Sequence, residues 1–224
     1  MMLLYKILLY LHIASGFTAL ASGLVAMLSK KGRKLHVLGG TIYFWGMTGV
    51  FATALPMTLL KFNPFLLGIA VFSYYLVLTG LRFNKIKRLL RKGQYPLLDK
   101  IIGIVSGISF LGMFIFGLSN TIFGDNSFGI ILGVFGFIGI IQTRTEFKLI
   151  FNREDFRIKV GKTWTLHHIG RMGGGYIATA TAFIVTNVQL EPPILLWLGP
   201  TAIGTPIIIY AVNTWKKKMT PKPK

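Results

Sequence analysis

The chain contains no cysteine, which excludes disulfides, thiolate metal centres and cysteine nucleophiles and leaves the redox compartment unmarked. Acidic residues are nearly as scarce: six Asp and Glu stand against 25 Lys and Arg, for a formal net charge of +19. None of the six falls at the middle of a long apolar run, which removes the usual ligand for a coupling proton or sodium ion and weighs against ion-coupled transport. Charged residues together fill 14% of the 224 positions, well below the about one quarter typical of soluble domains.

Apolar residues take the remaining space, at 53% hydrophobic with a mean hydropathy of +0.62. In a soluble protein the basic excess would point to nucleic acid. Here the basic residues sit in short loops between apolar runs, where the positive-inside rule accounts for them, so the expected partner is a lipid bilayer and no nucleic acid is expected.

A helix needs about 20 apolar residues to cross a hydrocarbon core of ~30 Å. Seven segments approach that length: 4–28, 36–60, 65–81, 101–120, 128–151, 164–187 and 193–215. With seven spans, 22 of the 25 Lys and Arg fall on the side of the C-terminus, Lys6 and Lys61 fall opposite, and Arg171 lies inside the sixth span. This separation predicts an all-α, polytopic seven-helix bundle with the N-terminus outside and the C-terminus cytoplasmic, in a bacterial-type inner membrane. Residues 1–215 form one transmembrane domain and 216–224 a solvated, disordered basic tail. Ala19-Leu20-Ala21 has the form of a signal-peptidase site, but only Lys6 would serve as its basic region, so the first span is expected to be retained. Gly103 and Gly107, like Gly129 and Gly133, have the GxxxG spacing that lets helix backbones approach in lipid.

Ionisable groups inside a bilayer are costly, so each is a functional candidate. They are His12, His36, His167, His168 and Arg171, with Glu146 beside Arg144 on the fifth span. Depth separates them. His12 precedes Leu28 by 16 residues, or about 24 Å at 1.5 Å per residue, whereas His36, His167, His168 and Arg171 all lie near the inner ends of their spans.

Leu35-His36-Val37-Leu38-Gly39 and Leu166-His167-His168-Ile169-Gly170 share the pattern LHxxG. A parallel repeat relating spans 1–3 to 5–7 would produce such a match. Two histidines at equal depth between helices are what axial ligation of a b-type haem requires. His36 and His168 are the candidate metal ligands, with His167 adjacent. Arg33, Lys34 and Arg171 are candidates to pair the propionates, and Gly39, Gly40, Gly170, Gly173, Gly174 and Gly175 could leave room for a flat macrocycle. The plain alternative is a cofactor-free membrane subunit or assembly factor, whose histidines reach water and headgroups or tie helices together and whose glycines serve packing.

Two further readings use the same chain. Three histidines with Glu146 could hold zinc for hydrolysis, although adjacent His167 and His168 point about 100° apart on a helix and no HxxxH pair is present. Alternatively, Pro56, Gly199-Pro200 and Gly204-Thr205-Pro206 could break helices at mid-depth and line a small-solute transport site. His12 is read as a cross-helix hydrogen-bonding residue, with a quinol site as its functional counterpart.

His12 with Gly16, the stretch from Lys31-Gly32 through His36 to Gly40, and Trp164 through His168 to Met172 followed by Thr181-Ala182-Phe183 together resemble a bacterial family of predicted multi-pass membrane proteins catalogued as a domain of unknown function. The resemblance spans most of the chain. It implies a multi-helix inner-membrane protein, assigns no activity, and points to His12, His36 and His168, with His167 beside them. The expected partners are lipid and either other membrane subunits or a redox partner.

Overall fold

A computed structural model describes residues 2–124 and 127–219. Among them the chain forms eight helices and no strand: α1 (Met2–Leu28), α2 (Lys34–Leu60), α3 (Pro64–Arg91), α4 (Leu97–Phe123), α5 (Ser127–Phe151), α6 (Glu154–Lys162), α7 (Trp164–Asn187) and α8 (Ile194–Met219). Local chemistry sets several of the ends. Asn63 accepts a hydrogen bond from the Leu66 amide at 3.0 Å and Pro64 occupies the first turn, a favourable helix start. Gly93 ends α3 at a φ of +73°, a left-handed position that suits a residue without Cβ.

Six of these helices, α1 to α5 and α8, are long and apolar enough to cross a membrane. The outer surface agrees with lipid contact. Along α4, Ile104, Ile108, Leu111, Ile115, Leu118 and Ile122 form a continuous exposed stripe, an arrangement that water would penalise and acyl chains would not. Helix α7 has the length of a span at 24 residues but falls short of that apolarity, because it carries His167, His168, Arg171 and a run of glycines.

Helix pairing follows from small residues. A Cβ on Gly39 would lie 2.9 Å from the Ser22 carbonyl oxygen, and one on Gly46 would lie 3.0 Å from the Ala19 nitrogen, so α1 and α2 touch backbone to backbone. The α4–α5 pair is built the same way, with Gly117 against Gly133 and Gly136 against Phe114. Helix α3 is the hub and packs on α2, α4, α5, α6 and α7. Phe72, Tyr75 and Leu76 of α3 join Phe110, Ile131, Phe135 and Trp197 in the largest core cluster.

The segments expected as spans fall within α1 to α5, α7 and, apart from Pro193, α8, with three departures. Helix α3 runs ten residues past Leu81, because Phe83, Ile86 and Leu90 continue its buried face against Tyr95, Leu149 and Val160. The connection expected between residues 151 and 164 contains α6, whose Glu154 and Asp155 open its first turn and whose Lys159 and Lys162 close its last, matching the helix dipole at both ends. The basic tail, expected to be disordered, begins as helix: α8 carries Lys216, Lys217 and Lys218 in its last turn, where cations are favourable, and residues 220–224 lie outside the described residues. Helices α2 and α8 run unbroken through Pro56, Pro200 and Pro206, so neither supplies the interrupted helix on which a mid-depth transport site was expected.

Candidate functional site

Two histidines are held alike at one end of the bundle. His36, on the first turn of α2, donates from Nδ1 to the Ala26 carbonyl of α1 at 2.9 Å. His168, on the second turn of α7, donates from Nδ1 to the Gly80 carbonyl of α3 at 2.8 Å. A carbonyl can only accept, so both rings carry a proton on Nδ1 and turn Nε2 away from that bond. Backbone anchoring of one ring nitrogen is the support a ligating imidazole needs from its surroundings.

His36, Lys87 and Lys31 all lie within electrostatic reach of His168, which places the four residues in one neighbourhood. Lys31 bends back to the end of α1 and donates to the Met27 and Ala26 carbonyls, closing that helix. Its partial burial pulls the ammonium below the ordinary lysine range. Lys87 lies 4.1 Å above the Trp164 ring, and Trp164 in turn packs at 6.0 Å from the His168 ring.

Beside this pair lies a buried ionic cluster. Arg171 of α7 meets Glu146 of α5 at 2.9 Å, with the side chains 3% and 2% exposed. Its guanidinium also donates to the Thr79 hydroxyl at 3.1 Å and to the Gln142 carbonyl, and sits 4.8 Å from the Tyr75 ring centre. Arg171 thereby joins α3, α5 and α7. Glu146 Oε1 and the Tyr75 hydroxyl are buried without a hydrogen-bond partner among the described residues.

A void of about 10 Å³, lined by Glu146, Asp99, Arg82 and Tyr95 among others, leads from Glu146 to a second ion pair. There Arg82 grips Asp99 through two bonds, Nε to Oδ1 at 2.8 Å and Nη2 to Oδ2 at 2.5 Å. The Tyr95 hydroxyl donates to the Asp99 carbonyl at 3.2 Å. Burial first, and then the charges of Glu146 and Asp99, push that hydroxyl well above the usual phenol range, so it remains a donor.

The residues singled out from sequence are thus distributed over several places. His36 and His168 share a neighbourhood. His167 turns away and stacks on Phe83 at 4.9 Å. Arg171, expected to pair a propionate, is committed to Glu146, because a guanidinium this deep is stable only with its charge matched. Glu146 was associated with Arg144, its neighbour in sequence, but positions two apart on a helix do not face each other. Arg33 and Lys34 are exposed. His12 stands apart and donates from Nδ1 to the Thr53 hydroxyl at 3.0 Å, while that hydroxyl donates to the Gly49 carbonyl at 2.7 Å.

Of the six glycines expected to make room for a macrocycle, only Gly40 and Gly170 face open space. A Cβ on Gly39, Gly173 or Gly175 would lie within 3 Å of a neighbouring helix, and one on Gly174 would lie 3.3 Å from Leu76, so these four serve packing. Among the described residues no three His, Asp or Glu side chains are grouped to hold one metal ion, which removes the geometry needed for three-histidine zinc hydrolysis.

Sequence reasoning missed the Arg171–Glu146 and Arg82–Asp99 pairs. A usable signal existed for the first, since Glu146 is the one acid in the seven segments and Arg171 the one base in the sixth; two opposite charges in lipid are best placed together. Comparison with protein-family models, with curated proteins and with solved structures finds no match, so any activity must be argued from the side chains themselves.

Proposed function

We propose that the chain is a seven-span protein of a bacterial cytoplasmic membrane, with the N-terminus outside and the C-terminus inside, in which α7 is the sixth span and α8 the seventh. Charge supports this orientation: 22 basic residues lie on the side of the C-terminus and two opposite, as the positive-inside rule requires. Matching the polarity of α7 inside the bundle through Glu146 removes the main objection to counting it as a span.

Within that frame, His36 and His168 would hold a b-type haem, which would supply one-electron redox chemistry for exchange with a membrane or soluble redox partner. The observation that carries this reading is the shared anchoring of the two rings, each held through Nδ1 to a backbone carbonyl and so left with Nε2 as a donor atom for iron. Lys31 and Lys87 in the same neighbourhood supply positive charge for propionates. Gly40 and Gly170 supply open space on α2 and α7.

An absorption spectrum of the detergent-purified protein, oxidised and dithionite-reduced, tests it together with iron analysis after expression with haem available. A Soret band, reduced α and β bands and about one iron per chain are expected, all lost in His36→Ala and His168→Ala. A colourless, iron-free preparation overturns the haem reading, as does a spectrum untouched by either substitution.

One observation favours a second reading. The same Nδ1 bonds tie α2 to α1 and α7 to α3, which is what histidines of a cofactor-free membrane subunit would do. That protein would be colourless, would lose stability rather than colour in the alanine variants, and would co-purify with a membrane partner.

A further inference from the structure

The bundle carries a second feature unrelated to the histidines. Between α4 and α5 a groove of about 440 Å³ opens on the outer surface. Its walls are apolar, with Ile108 and Leu111 from α4 and Ile140 and Phe147 from α5, and its rim carries Arg144 and Lys148. Gly107 lets Phe147 approach α4 closely along this groove: a Cβ there would lie 2.6 Å from the ring.

The two bases are four residues apart, so they stand on one face of α5, one turn from each other. Both are exposed, and neither forms an ion pair among the described residues. From Ile140 to Lys148 the groove follows about 12 Å of helix, with Arg144 and Lys148 in its second half and Phe147 between them. In a bilayer an apolar groove on the outer face is filled by acyl chain, and paired cations at its headgroup end select an anionic phosphate.

We propose that this groove is a binding site for an anionic phospholipid, one acyl chain lying against Ile108, Leu111, Ile140 and Phe147 and the phosphate held by Arg144 and Lys148.

Native mass spectrometry and thermal unfolding of the full chain in a neutral detergent test the site, using dioleoyl phosphatidylglycerol, dioleoyl phosphatidylcholine and glycerol 3-phosphate as probes. Phosphatidylglycerol is expected to bind at least fivefold more tightly than phosphatidylcholine, and glycerol 3-phosphate to give no thermal shift. R144Q/K148Q is expected to lose that fivefold preference, while K85Q/K92Q, a basic pair outside the groove's lining, keeps it. Equal binding of the two lipids by the wild-type chain overturns the proposal without recourse to any variant. So does a thermal shift from glycerol 3-phosphate equal to that from the lipid, retention of the preference in R144Q/K148Q, or an equal loss in K85Q/K92Q, which would mark general surface charge.

Discussion

Arg171 and Glu146, 25 positions apart in sequence, meet at 2.9 Å in the interior of the bundle with both side chains almost fully enclosed. Neither side chain is open to bulk solvent. Replacing only one therefore leaves the other buried and unmatched, at a cost of about 3–5 kcal/mol, whereas replacing both with apolar side chains of similar volume is close to neutral. Arg171→Met is expected to lower unfolding stability in detergent by that amount, and Arg171→Met combined with Glu146→Leu to recover most of it. A double-mutant cycle by thermal or denaturant unfolding checks this, and additive losses would show that the pair is not coupled.

His12 and Thr53 join α1 to α2 near the other end of those helices, through a bond in which the hydroxyl accepts because its own proton goes to Gly49. Single hydrogen bonds between membrane helices contribute about 0.6 kcal/mol on average and rarely exceed about 1.7. Thr53→Val should cost that little, and His12→Leu about the same. A loss of several kcal/mol in either variant, measured by the same unfolding assay, would reveal more than a tie.

Two glycines of α4 should respond in opposite senses. Gly117 lies against the backbone of Gly133, while a Cβ on Gly112 would meet nothing within 4 Å. Gly117→Ala must push α4 from α5 and is expected to cost about 1–3 kcal/mol, in the range of other overpacking changes. Gly112→Ala adds helix propensity without a clash and should be neutral or stabilising by up to about 1 kcal/mol. Paired melting curves of the two variants decide the matter.

The absence of cysteine makes the topology directly testable, because any introduced thiol is unique. Lys61→Cys should react with a membrane-impermeant maleimide added to intact cells, and Lys92→Cys only after the membrane is opened. The reverse pattern, or labelling of both from one side, would remove the proposed orientation.

Much of this architecture could be read from hydropathy, and the reason is physical. Segments such as 4–28 and 101–120 must be helical in lipid whatever surrounds them, since every backbone amide has to be satisfied within its own segment. Helix α6 and the extension of α3 beyond Leu81 escaped that reading, because they are held by Phe83, Ile86 and Leu90 packing on Leu149 and Val160, contacts between segments that no window along the chain contains. The histidines were visible as candidates, but their roles depended on which carbonyls faced them. The partner of Arg171 depended on α3 bringing α5 and α7 together, an adjacency the chain order does not state.

The modest apolarity of α7 also has a consequence for the order of synthesis. A helix with a guanidinium seven residues from its start gains little by entering lipid alone, and finds its charge matched only where Glu146 already waits on α5. The first five helices emerge earlier from the ribosome, two of their pairs (α1 with α2, α4 with α5) joined by short connections and locking through small residues. Among the described residues of those helices, Glu146 is then the carboxylate without its counter-charge, and α7 is the element that completes it, so the last third of the chain is where a lagging insertion would be exposed to quality control.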